Sequence, residues 1–360
     1  MERKKGRLAL LSDGQRPDRV PISLSLGAYG AKVCEVPYKE LLLNPLAAFE
    51  ANQWVKKAFP QDGSPGYSIP NGVCWDFGGE LNFPDGINGW PTVRRFPVGS
   101  EADLDKLEIP DPRKAPAAQL GLEYTRIRYR AGQRGGTLMA MSPFRAAFYL
   151  ADGERILRWI LCRPELVHQL CEISLEYSLR VARMYAAEFG TEGWSAMFTY
   201  PTESHGMISP KHFKQFSAPY AQRLHQELVK IGFRTFKEHP CGNHRHNLWF
   251  WRDQLDLPEH TTISVGKDMP IEEIDAFFGS RFVIGGNVDS VKLVSAPASA
   301  VYEEAKDVIQ RMKHRPGGYI LMAACSITNA VPPANLLAMI QAVEDYGYYE
   351  EGKCPVGGDG

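Results

Sequence analysis

The 360-residue chain reads as an α/β protein of the (β/α)8 TIM-barrel class with an N-terminal extension or insertion, and three observations carry this. From residue 137 onward, short apolar strand-like runs alternate with longer helical stretches, which implies right-handed crossovers and a parallel sheet. The units, counting a first strand at 20–24, are numerous enough to favour closure over the alternative of an open doubly wound sheet. Finally, no GxGxxG or GxxxxGKS/T pattern opens any helix, so the nucleotide-binding signatures usual in open sheets are missing.

The elements follow in order. Asn44 and Pro45 form a cap and first-turn pair for a helix that stops at Pro60. Residues 61–116 are rich in Gly, Pro and Asp, with a PDG turn at 84–86. They read as a lid or insertion in a single barrel domain spanning 1–360. A strand at 137–141 follows, and a helix from Pro164 ends near Gly190, which suits a left-handed cap. Residues 194–199 form the next strand, and Ser209–Pro210 opens one helix that closes at Gly232. Stretches 233–238, 261–265 and 281–284 are strand-like. A helix over 298–313, a strand at 319–324 and a helix from Pro333 to Gly347 complete the pattern.

Composition narrows the classes of function. With 44% hydrophobic and 23% charged residues the chain has ample material for a core. The formal net charge is −1 and the basic residues are scattered, so no nucleic-acid footprint is expected. No apolar run approaches the roughly 20 residues that span a bilayer, and no membrane partner is expected. The basic N-terminus lacks the apolar stretch of a signal peptide. Seven widely spread cysteines then read as reduced thiols in a cytoplasmic setting.

The chemistry concentrates in RTFKEHPCGN at 234–243. His239 and Cys241 lie two apart at the C-terminal end of a predicted strand, where alternate residues point the same way. Cys325 follows the run YILMAA at the end of another strand. In a barrel those ends converge on the active-site face. A lone His or Cys is more often a satisfied buried residue. Three zinc-type donors on two strand ends outweigh that reading, and they match a catalytic site with three protein ligands rather than a local finger.

The same alternation puts Thr235 and Lys237 on the face of His239, with Glu238 turned away. Lys237 is a candidate catalytic residue beneath the metal; its plainer fate is a lysine reaching past the rim. His244 and His246 offer a fourth ligand, although a solvated loop is the commoner outcome. Glu203, after strand 194–199, is a candidate acid, base or fourth ligand, weighed evenly against a surface carboxylate. Asn287 and Asp289, past strand 281–284, are candidate cofactor-binding residues, and Gly285–Gly286 before them allow close approach of backbone or ligand. Trp194, Phe198, Tyr200, Trp249, Phe250 and Trp251 cluster near these ends, as core packing or as the lining of a flat pocket.

Taken together, these residues resemble the uroporphyrinogen decarboxylase superfamily, and within it the zinc-dependent cobamide methyltransferases. The likeness covers PDRVPI at 17–22, DLDKLEIPDP at 103–112, RPELVHQL at 163–170, MISPKHF at 207–213, HPCGN at 239–243, GGNVD at 285–289 and PPANLLAMIQAVEDYGYY at 332–349. The outer stretches mark the superfamily; the HxC…C set marks the zinc branch. The resemblance implies a barrel with its site at the C-terminal mouth, Zn2+ held by His239, Cys241 and Cys325, and a corrinoid (cobalamin) carried by a partner protein. It also implies methyl transfer from a small methylated substrate, such as O-demethylation of a methoxylated aromatic. The alternative within the branch is transfer from a methylcobamide to a thiol of the coenzyme M type. True decarboxylases lack the HxC…C set, and their arginine-rich N-terminal segment is replaced here by SLSLGAYGAK. A metal-free decarboxylase-like lyase or a tetrapyrrole-binding protein is therefore disfavoured; the pocket cations such a lyase needs are limited to Lys237, Arg145 and Lys267. Some relatives take a fourth zinc ligand from the strand after HxC, whereas TTISVGKD offers only Asp268.

Overall fold

The structure, a computed structural model, describes residues 5–349. Cys354 lies outside them. Eight strands occur among the described residues: β1 (Glu80–Asn82), β2 (Thr92–Arg95), β3 (Gly136–Met139), β4 (Trp194–Thr199), β5 (Thr235–His239), β6 (Thr262–Ser264), β7 (Val283–Val288) and β8 (Tyr319–Ala323). β3 to β8 form a six-stranded sheet in sequential order, and β1 pairs with β2 alone. The β3–β4, β4–β5, β6–β7 and β7–β8 pairings are all parallel. The α/β fold and its parallel sheet follow the alternation of the sequence. Among the described residues no helix is long and apolar enough to cross a membrane.

The chain divides into two compact units. One comprises residues 30–51 and 67–257. In it β4 aligns Ser195 with Thr235, Met197 with Lys237 and Thr199 with His239. The helix Pro143–Ala151 starts on Ser142, whose hydroxyl accepts from the Arg145 N–H at 3.0 Å, with Pro143 in its first turn. The helix Pro164–Phe189 ends at Gly190 (φ 72°), a left-handed position that costs a residue without Cβ nothing. Residues 72–95 fold as the short helix Gly72–Asp76 and the antiparallel β1–β2 pair, not as a strand of the parallel sheet.

The single helix expected over 210–231 is broken. Pro210–His212 passes into a π-helical turn, Phe213–Ser217, before Ala218–Ile231 resumes. Pro219 has no N–H to donate and its ring crowds the preceding turn, and the wider turn accommodates both.

The other unit comprises, among the described residues, 5–29, 52–66 and 258–349. The strand expected at 20–24 is reduced to one parallel bridge, Ile22 to Leu321. Pro21 cannot donate, and side chains take two neighbouring N–H groups: Asp62 from Ile22 at 2.9 Å and Gln61 from Leu24 at 2.5 Å. β7 runs longer than the sequence suggests and is buried throughout. A Cβ on Gly285 would meet the Met322 sulfur at 2.6 Å, and one on Gly286 the Val265 carbonyl oxygen at 2.8 Å. The glycine pair thus serves close approach of strands, not of a ligand.

Candidate metal centre

His239 ends β5, and Pro240 and Gly242 turn the chain immediately after it. Gly242 sits at φ +87°, and a Cβ there would lie 2.9 Å from the Ser204 Cβ, so a side chain would be both strained and crowded. The loop after β5 is sewn to the loop after β4. Tyr200 N donates to the His239 carbonyl at 3.1 Å, and His205 N to the Asn243 carbonyl at 2.8 Å.

His244, expected in a solvated loop, is instead fully buried in this seam. Its Nε2 lies 2.9 Å from the Tyr200 carbonyl and 3.2 Å from that of Cys241. Carbonyls only accept, so Nε2 carries the proton. Burial pushes the imidazole down to about 4, which keeps it neutral at ordinary pH. His246 stays exposed, and its N–H donates to His205 Nε2 at 3.0 Å.

Cys325 follows β8, and its N–H donates to the Ser290 hydroxyl at 3.0 Å. The donor atoms of His239, Cys241 and Cys325 all lie within 4.8 Å of one another. Tetrahedral zinc with these ligands has donor–donor edges of about 3.5–3.8 Å, somewhat shorter than that upper bound. One imidazole and two thiols form a borderline-soft donor set that suits zinc. Glu203 is not part of this group.

The remaining candidates fall into place one by one. Glu238 points away from His239, as the alternation requires, and is buried between the Tyr200 hydroxyl (2.9 Å) and His225 Nε2 (3.0 Å). Lys237 shares the His239 face, and burial pushes its ammonium down. Glu203 is fully buried, with Oε1 accepting from the Ser142 and Ser217 hydroxyls and Oε2 from Thr202 at 2.7 Å. That burial raises its carboxyl above the usual range. It is therefore neither a surface carboxylate nor an open ligand but a clasp between three segments.

Asn287 is buried and donates to the Gly266 carbonyl at 3.2 Å. The Asp289 carboxylate caps the helix Ser290–Ser295 through Val291 N (2.7 Å) and Lys292 N (3.4 Å). Lys267 is held by Glu304 at 2.6 Å. Trp194, Phe198, Tyr200, Phe250 and Trp251 are buried, so most of the aromatic cluster is core packing. Ser142, Tyr149 and Thr199 were not singled out in the sequence. The Ser-Pro start at 142–143 was legible as a helix cap, but its link to Glu203 is a tertiary contact.

The comparisons with known proteins agree with this architecture. A family model described as uroporphyrinogen decarboxylase (URO-D) matches residues 3–346. The chain is 25% identical to the uroporphyrinogen decarboxylase of Methylococcus capsulatus over 259 residues, 70% of this chain and 71% of that protein. It is 24% identical to that of Xanthomonas euvesicatoria over 368 residues, covering 95% and 98%. Among solved structures it is similar to a methyltransferase from Methanosarcina mazei, with a TM-score of 0.78 at 22% identity, covering 94% of this chain and 98% of the other.

Proposed function

The chain belongs to the uroporphyrinogen decarboxylase family, a family of TIM barrels, and on that premise we propose that it is a zinc-dependent methyltransferase. It moves a methyl group between a small methylated substrate, such as a methoxylated aromatic, and a corrinoid carried by a partner protein. The observation that carries the proposal is the convergence of His239, Cys241 and Cys325. A metal-free decarboxylase gives two thiols beside an imidazole no task. The name of the Methanosarcina mazei neighbour, a methyltransferase, points the same way.

His239, Cys241 and Cys325 would hold the metal, and both cysteines would bind as thiolates. Bound zinc supplies Lewis acidity toward the heteroatom that gives up or receives the methyl group. Around it the chain's own residues prepare the site. His244 holds the Cys241 carbonyl and fixes the loop on which that thiol rides. To Lys237, on the same strand face as His239 and with its ammonium pKa lowered by burial, we assign the donation of a proton to a departing oxygen. Glu203, buried and holding its proton more tightly than an exposed carboxyl, fixes the helix start at Ser142. Asn287 and Asp289 would contact the corrinoid only through what their structural roles leave available.

Methyl transfer from methoxylated aromatics, methylamines or methylated thiols to reduced free cobalamin tests the function. Zinc-dependent formation of methylcobalamin with one substrate class supports it. Failure with all three classes, by zinc-loaded protein, contradicts it.

A further inference from the structure

Among the described residues Arg145 forms no salt bridge. Its guanidinium donates from Nη1 to the Thr199 hydroxyl and from Nη2 to the Tyr149 hydroxyl at 3.1 Å. Nε is buried and makes no hydrogen bond. Among the described residues no carboxylate lies within ion-pair distance of it. Glu203 is near enough to feel its charge, but hydroxyls take both carboxylate oxygens. An arginine cannot shed its proton, and a largely buried charge is ordinarily paired. Two neutral hydroxyls orient the guanidinium without neutralising it.

The position is as telling as the charge. Thr199 aligns with His239 across the β4–β5 pair, where strands run roughly 4.8 Å apart. Thr199 and His239 are both partly buried, while their neighbours Phe198 and Glu238 are fully buried on the opposite face. The Arg145 side chain therefore reaches the face of the sheet that carries the imidazole.

We propose that Arg145, with the Tyr149 hydroxyl beside it, anchors a carboxylate on the small substrate. The substrate class is then a methylated carboxylic acid rather than a neutral ether or thioether. The planar guanidinium fork matches a carboxylate in two parallel hydrogen bonds, and the phenol adds a further donor. Tyr149, which touches Arg145 through both its hydroxyl and its ring at 5.7 Å, keeps the fork in place before the acid arrives. The proposal rests on the methyl-transfer reading for the identity of the substrate, but not for the presence of an anion site.

Calorimetric titration of zinc-loaded protein with benzoate, 4-methoxybenzoate, neutral 4-methoxybenzamide and inorganic phosphate tests it, with metal content measured on each sample. Both carboxylates should bind at least about tenfold more tightly than the amide. Arg145→Gln should erase that preference, and Arg145→Lys, which keeps the charge but not the fork, should retain part of it. Retained metal in either variant shows that it is folded. Equal binding of acid and amide, an acid preference unchanged in both variants, or Arg145-dependent binding of phosphate alone overturns the proposal. Loss of the metal reading with the acid preference intact would contradict the zinc enzyme and leave the anchor standing.

Discussion

His244 donates from Nε2 to the carbonyl oxygen of Cys241 across 3.2 Å, and the same nitrogen lies 2.9 Å from the Tyr200 carbonyl. One buried, neutral ring thus binds the exit of β4 to the loop that carries a proposed zinc ligand. Replacing it by alanine leaves two buried carbonyls without this donor and frees the Cys241 backbone. His244→Ala should weaken zinc binding by about 10- to 100-fold, as supporting residues of metal sites do. Competition against a calibrated chelator measures it, and unchanged affinity would refute the supporting role.

Ser142 has two tasks on one oxygen: it accepts from the Arg145 N–H at 3.0 Å and donates to the buried Glu203 carboxylate. Ser142→Ala removes a helix cap and leaves a buried acceptor short of a donor, costing about 1–3 kcal/mol. Urea unfolding of this variant should show a lowered midpoint, with Ser142→Thr recovering most of the loss. A shift indistinguishable from zero would mean that the clasp contributes nothing.

Asp76 predicts a pH dependence. Its carboxyl accepts from Ala117 N at 2.7 Å, Ala118 N at 3.3 Å and the Tyr177 hydroxyl at 2.7 Å, yet burial outweighs these bonds and lifts it to about 6. The folded state therefore binds this proton more tightly than the unfolded chain does. Stability attributable to Asp76 is greatest below pH 4 and falls as pH rises toward 6, by about 3 kcal/mol in all. Chemical denaturation of the wild type and Asp76→Asn over pH 4–7 should show the gap between the two curves changing by that amount, because slopes from the other buried groups, His244 among them, are common to both. Parallel curves would contradict it.

Asp289 supplies a sharper separation of roles. Its carboxylate caps the helix Ser290–Ser295, so Asp289→Ala should cost about 0.5–2 kcal/mol while Asp289→Asn costs little. A corrinoid contact would instead make the Asn variant weaken corrinoid binding at unchanged stability. Thermal unfolding and cobalamin titration on the two variants tell these apart.

The legible parts of the sequence were those governed by local rules. The strand–helix alternation, the Pro and Gly boundaries of Pro164–Phe189, and the parity that separates His239 from Glu238 all follow from period and cap chemistry. The pairing of His239 with Cys241 was legible because a two-residue spacing at a strand end fixes a common face. What escaped depends on tertiary contact. His244 looked like a loop residue until the neighbouring loop closed over it, and Glu203, weighed evenly between a functional group and a surface carboxylate, is held by three hydroxyls. The π-helical turn at Phe213–Ser217 interrupts the single helix expected there, and Pro219 is its local cause.

Metal stoichiometry puts the central claim to its most direct test. Protein purified without added metal should carry about one zinc per chain, with an X-ray absorption spectrum that requires two sulfur ligands. The Cys241→Ala, Cys325→Ala double variant should fold and carry none. Metal-free wild-type protein that takes up no zinc on titration, or a double variant that retains a full complement, would contradict the account.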